Sequence, residues 1–90
     1  MFGKNKTFVE LANVHEMAVA DVKAKEGIWW DAFIAHREAI ANLSHLDAAT
    51  VNSDATLQRI RTLSDAVDTT WKTYYHAKQY VDKTLVAISA

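Results

Sequence analysis

The chain has 90 residues, a formal net charge of −1 and no cysteine. This length fits a single helical domain over residues 1–90, and the lack of thiols excludes disulfides and thiolate metal sites. The balanced charge gives no electrostatic reason to expect nucleic acid or an anionic membrane as a partner. No apolar run is long enough for a transmembrane segment or a signal peptide. We therefore expect a soluble protein that is cytoplasmic or part of a particle.

The composition favours long helices, because proline is absent and glycine occurs only twice. After a predicted tail of residues 1–6, Thr7 and Glu10 form the capping-box pattern that starts a helix. From Phe8 onward, one position recurs at alternating steps of three and four residues, as in a coiled-coil seam. These seam positions are Phe8, Leu11, His15, Ala18, Val22, Lys25, Trp29, Ala32, His36, Ala39, Leu43 and Leu46.

Gly27 raises the question of whether the first helix ends in mid-course. The alternation keeps its phase through Gly27, whereas a turn would reset it, and no capping residue stands directly before Ile28. We therefore predict one continuous helix over residues 7–46, with Gly27 opposite the seam and Trp29 on it. A compact three-helix bundle with a turn near Gly27 is the alternative.

The break between helices is predicted at residues 47–53, where small polar residues gather. Ser53 or Asp54 is the expected N-cap of a second helix over residues 54–88. A short connection makes the two helices antiparallel neighbours. The predicted fold class is therefore all-α, an antiparallel hairpin of two long helices with a coiled-coil-like seam. The second helix should contribute Leu57, Ile60, Ser64, Val67, Trp71, Tyr74, Lys78, Val81, Leu85 and Ile88 to that seam.

A polar layer is predicted across the seam, next to an aromatic contact between Trp29 and Tyr74. Two lysines fall at one level of the hairpin, and each lies four residues from an aspartate on its own helix. Their stems would cover the aromatic layer while the ammonium groups reach the carboxylates and set the register. The members of this seam polar layer are Asp21, Lys25, Lys78 and Asp82.

The first helix carries more apolar surface than its seam can use, while the second has a clearer polar face. A helix that is apolar on nearly every side is normally buried on nearly every side. We therefore expect the first helix to lie inside a larger structure, with the second nearer solvent. The residues expected at such an interface are Met17, Ile28, Trp30, Phe33, Ile34 and Ile40.

No constellation of residues indicates catalysis. The histidines His15, His36, His45 and His76 have no His or Glu at helical ligand spacing. His15 and His36 are expected to be partly buried on the seam and hydrogen-bonded. No hydroxyl residue has nucleophile–base geometry, and no glycine-rich phosphate loop occurs. The sequence therefore predicts no catalytic, cofactor-binding or metal residues, no cofactor and no enzymatic activity.

These features favour a non-enzymatic assembly protein that self-associates into a four-helix or larger bundle, because a lone two-helix hairpin rarely has enough core. Small virion, secretion and scaffold components have this character. In outline the chain resembles the helical-hairpin subunits that polymerise in secretion needles, but it lacks their proline-flanked turn, so no residue roles transfer. The alternative is a small inhibitor or adaptor that docks its Trp30 and Ile34 face on another protein.

Overall fold

The computed structural model describes residues 7–89 as two long antiparallel helices joined by a short helical turn. No strand occurs within this range. The predicted all-α hairpin is thereby confirmed, while the predicted tail of residues 1–6 lies outside the described part of the chain. The elements are α1 at Phe8–Asn42, a 3-10 turn at Leu43–His45, α2 at Ala48–Val51 and α3 at Asp54–Ser89.

The start of α1 matches half of the predicted capping box. Thr7 has extended backbone angles, and its Oγ1 accepts a hydrogen bond from the backbone N–H of Glu10 at 3.2 Å. The Glu10 carboxylate accepts a hydrogen bond from the Thr7 hydroxyl at 3.3 Å. The cap satisfies one amide of the first turn, and the acidic side chain there suits the positive end of the helix dipole.

Helix α1 runs through Gly27 without interruption, so the three-helix alternative is wrong. Gly27 has no positive φ, and a Cβ added to it would meet no atom within 4 Å. The residue is therefore helical and exposed, and nothing in the fold requires a glycine there. The cost of its backbone freedom is offset by the packing of the residues on either side of it.

The turn region contains a one-turn helix that the sequence prediction treated as loop. Asp47 caps α2, because its carboxylate accepts the Thr50 backbone N–H at 2.7 Å. Hydrogen bonding from Thr50, from its side chain and its backbone N–H, holds the pKa of Asp47 below its usual value. Ser53 then caps α3: its Oγ accepts the Thr56 N–H at 3.3 Å, and its carbonyl accepts the Leu57 N–H at 3.0 Å.

The inner face of α1 lies where the periodicity placed it. Ala18 and Ala39 are buried. The seam positions between them are half-buried, namely Val22, Lys25, Trp29, Ala32 and His36. Only Phe8 and Leu46, at the two ends of the predicted seam, are exposed. The sequence-derived phase of α1 is therefore confirmed along its length.

The inner face of α3 matches the prediction at six of the ten seam positions and differs at four. The six that are half-buried or buried as expected are Ile60, Ser64, Val67, Tyr74, Val81 and Ile88. At the other four, the covered residue is the one before the predicted position, so α3 presents a slightly different side to α1. Small side chains at these positions allow the helix backbones to approach closely. Thr56, Thr70, Ala77 and Thr84 are covered, whereas Leu57, Trp71, Lys78 and Leu85 are exposed.

The core between the helices is thin. No side chain among residues 7–89 is completely buried, and three of the four buried apolar residues are alanines. The molecule measures 71 × 17 × 15 Å, with a radius of gyration of 20.3 Å. A compact domain of this length has a radius of gyration of about 12 Å. Each helix therefore buries one stripe, and much of the remaining apolar surface faces solvent.

Gly27→Ala should raise the free energy of unfolding by about 1 kcal/mol, because alanine favours the helix and its methyl group enters open space. Denaturant unfolding at a fixed protein concentration measures the change. The matched control is Ala24→Gly, an exposed site on the same helix that should lose a similar amount. A destabilised Gly27→Ala variant would contradict an open site at Gly27.

Ala77→Leu should lower the free energy of unfolding by about 1–3 kcal/mol, because the added carbons have no room in the seam. Lys78→Leu is the matched control at the next, exposed position, and should change it by less than about 1 kcal/mol. Thermal or denaturant unfolding of both variants checks the order. The opposite order would restore the seam that the sequence predicted.

Candidate interaction surface

An aromatic cluster joins α1 to α3 near the middle of the hairpin. Trp29 is its centre, with its ring centroid 5.2 Å from Trp71 and 6.0 Å from Tyr74. The expected contact between Trp29 and Tyr74 is thereby confirmed, with nearly parallel rings. Such pairs add to the free energy gained by burial alone. The aromatic cluster consists of Trp29, Trp30, Phe33, Trp71, Tyr74 and Tyr75.

A hydrogen bond links the α3 side of the cluster to α1. The Tyr74 hydroxyl donates to Oε2 of Glu26 at 2.8 Å, across the two helices. This hydrogen bond raises the pKa of Tyr74, and burial and the negative charge of Glu26 add to the effect. Glu26 was not among the predicted site residues. The relevant signal was its position three residues before Trp29, which puts it on the same side of α1.

A second polar contact fixes the open end of the hairpin. His15 Nδ1 lies 2.9 Å from the Thr84 hydroxyl oxygen, and Thr84 also donates to the carbonyl of Val81 at 2.8 Å. His15 is half-buried. Its expected role as a partly buried, hydrogen-bonded histidine of the seam is therefore confirmed.

The predicted seam polar layer is brought together on one helix only. Lys25 forms an ion pair with Asp21 one turn earlier on α1. On α3, the Lys78 ammonium lies 5.4 Å from the centre of the Tyr74 ring, a cation–π distance. Lys78 and Asp82 are both exposed. Because the small residues of α3 face α1, both Lys78 and Asp82 lie to the side of the seam.

The six residues predicted for an interface fall on two sides of α1. We call the side bearing Trp30 and Phe33 the front face and the side bearing Met17 and Ile28 the back face. Ile28 and Trp30 are two residues apart, which is about 200° around a helix. Trp30 is 50% exposed and stacks on the half-buried Phe33 at 5.4 Å. The remaining two, Ile34 and Ile40, are exposed and continue the front face toward the turn.

Helix α3 contributes to the front face as well, which the sequence reasoning missed. Trp71 is 43% exposed, and its ring stacks with the exposed Tyr75 at 6.4 Å. Trp71 also contacts Trp29, so the apolar surface continues from one helix to the other. The three–four alternation from Leu57 predicts Trp71 on the seam. The available signal was the seven-residue spacing of Thr70, Ala77 and Thr84, a second heptad series of small residues.

The back face has a groove of its own. Its lining combines residues of both helices, with Met17 from α1 beside Tyr80 from α3. Both side chains are largely exposed. The back face is therefore apolar too, but it lacks the stacked rings that characterise the front face.

Within residues 7–89 no group of three or more histidines and carboxylates is placed to hold a metal ion. In the same part of the chain, neither long helix has a stretch apolar enough to cross a membrane. Comparison with protein-family models, curated proteins and solved structures gives no match.

Glu26→Ala should lower the pKa of Tyr74 toward its ordinary value, because it removes the hydrogen bond and the negative charge that raise it. The raised pKa of Tyr74 also predicts how the stability of the fold depends on pH. The stabilisation that the Tyr74–Glu26 hydrogen bond gives the folded state is present below the ordinary tyrosine pKa. It is lost as pH rises through the raised pKa of Tyr74.

Phenolate absorbance in a Tyr75→Phe, Tyr80→Phe background measures Tyr74 alone. Glu38→Ala, at another exposed carboxylate of α1, is the control and should leave the titration unchanged. An unshifted Tyr74 titration in Glu26→Ala would contradict the role assigned to this hydrogen bond.

Proposed function

We propose that this chain is a non-enzymatic assembly protein that associates with copies of itself through apolar surface, with the first helix as a main contributor. One observation carries the proposal. The buried apolar core is mostly alanine, while tryptophan, isoleucine and methionine side chains of α1 are exposed. Aromatic residues and methionine are enriched at the centres of protein interfaces. Their position outside the hairpin suits a core completed by another chain.

The surface area supports the same proposal. The chain exposes 6916 Å². A compact monomer of this mass exposes about 5300 Å², so the hairpin exposes about 1600 Å² more. A stable interface of standard size buries about 800 Å² on each partner. Such a contact would cover about half of the excess area of each hairpin.

The polar residues around the front face also suit a copy of the same chain. Lys23 and Glu26 border the aromatic cluster on α1, and Asp68 and Lys78 border it on α3. A rim with both signs gives no preference for a strongly charged partner and allows pairing between identical surfaces.

Trp30→Ala should raise the dissociation constant of the oligomer by about tenfold or more, because central tryptophans commonly dominate interfaces. Helicity measured by circular dichroism should stay unchanged, because Trp30 lies outside the seam. Sedimentation equilibrium over a range of concentrations gives both the mass and the dissociation constant.

Tyr80→Ala is the matched control, since Tyr80 is 51% exposed and lies on the back face. It should leave the dissociation constant nearly unchanged. A wild-type protein that stays monomeric at micromolar concentration would refute self-assembly and favour the adaptor alternative. A Trp30→Ala variant that unfolds would instead show that Trp30 belongs to the core of the hairpin.

A further inference from the structure

An exposed stripe runs along the front of α3. Within residues 7–89 its side chains make no hydrogen bond to α1, and Trp71 contacts α1 through the ring of Trp29. Its members follow the three–four spacing of a single helix side. All are exposed, including two leucines and two aromatic rings. We call this set the α3 stripe: Leu57, Arg61, Trp71, Tyr75, Asp82 and Leu85.

The order of residues in the α3 stripe is symmetric about Trp71. Leu57 and Leu85 lie 14 residues on either side of Trp71. Arg61 lies 10 residues before it, and Asp82 lies 11 residues after it. Trp71 itself stands at the middle of α3, which spans Asp54–Ser89. When a second copy of the stripe is laid antiparallel against the first, leucine therefore faces leucine, tryptophan faces tryptophan and arginine faces aspartate.

From this symmetry we infer that two copies pack front to front, with their α3 helices antiparallel and a two-fold axis passing beside Trp71. A two-fold interface uses the same patch on both partners and therefore needs a self-complementary surface. The α3 stripe meets that need, because Arg61 of each copy faces Asp82 of the other. This inference rests on the proposed function, and it specifies the surface and the orientation.

The charges distinguish the antiparallel from the parallel arrangement. Among residues 7–89 the only ion pair joins Lys25 to Asp21, so Arg61 and Asp82 have no charged partner within the described hairpin. An antiparallel dimer pairs Arg61 of each copy with Asp82 of the other, which gives two ion pairs in all. A parallel pairing of the same helices would set Arg61 against Arg61 and Asp82 against Asp82, which is repulsive.

Three further residues continue the same side of α3 and follow the same rule. The exposed Asp68 lies three residues before Trp71 and Tyr75 four residues after it, so a carboxylate meets a phenol hydroxyl across the axis. The half-buried Ser64 and the exposed Lys78 lie seven residues on either side and form another polar pair. None of these pairs places two like charges opposite each other.

The aromatic cluster extends the contact to α1. The ring of Trp29 lies 5.2 Å from that of Trp71, and Trp30 lies next to Trp29 at 5.4 Å. An axis beside Trp71 therefore brings Trp30 near its own copy. The result is a four-helix bundle whose centre is aromatic, which is where the dominant residues of an interface usually lie.

A charge exchange tests the proposed pairing. Arg61→Asp and Asp82→Arg should each raise the dissociation constant of the oligomer by about tenfold, because each variant creates two repulsive contacts. The double variant Arg61→Asp, Asp82→Arg should return to within about threefold of wild type. Lys83→Asp, with the same change in net charge as Arg61→Asp but off the stripe, is the control and should have little effect.

A double variant as weak as the single ones would overturn the pairing, as would single variants that associate like wild type. In either case a persisting oligomer would leave the proposed self-assembly standing. A wild-type protein that is monomeric throughout would refute both proposals. Circular dichroism of each variant identifies any loss of folding, and the double variant keeps the test valid because it carries both substitutions.

Distance measurement provides an independent test, and the absence of cysteine allows a single label per chain. Nitroxides at Gln58→Cys should lie about 40 Å apart in the antiparallel dimer, because each is far from the axis. Those at Lys72→Cys should lie within about 20 Å of each other. Short distances at both sites would overturn the antiparallel arrangement in favour of a parallel one.

Discussion

The structure depends on how closely the two long helices can approach each other along the narrow seam between them. Ala18 and Ala39 on α1 and Ala77 on α3 are buried there, and they leave room for the backbones to come together. A seam that contains such small residues buries little apolar area, so its burial stabilises the hairpin only modestly. Many of the larger apolar side chains lie beside the seam, where one hairpin cannot cover them. The small core and the large exposed apolar surface therefore have the same cause.

The aromatic cluster sets the register of the two helices. Trp29 is in contact with both Trp71 and Tyr74, and the Tyr74 hydroxyl is bound to Glu26. Sliding α3 by one turn would break this hydrogen bond and separate the rings. The His15–Thr84 contact at the open end requires the same alignment. Two polar contacts and one aromatic group thus determine which residues of α3 reach the middle of the front face.

The sequence predicted the helices and the inner face of α1 because the seam positions keep a regular three–four spacing along the whole helix. The phase continued through Gly27, and nothing in the structure packs against that position. For α3, two heptad series shared Ile60, Val67, Tyr74 and Val81 and differed by one residue at the positions between them. Choosing between Trp71 and Thr70 required knowing how close α1 comes. Periodicity gives the spacing of a seam, but the size of the gap depends on both helices together.

The presence of two heptad series on α3 also matters for the proposed interface between copies. Trp71 and Leu85 have the size and polarity of core residues, and their heptad spacing is that of a seam. In the hairpin alone they are exposed, which is costly for a soluble monomer. In the proposed dimer they face a second copy, and the two heptad series of α3 serve two different contacts. The small series packs against α1 of the same chain, while the large series packs against α3 of the partner. If α3 uses both series in this way, a choice of one series from the sequence cannot describe the whole helix.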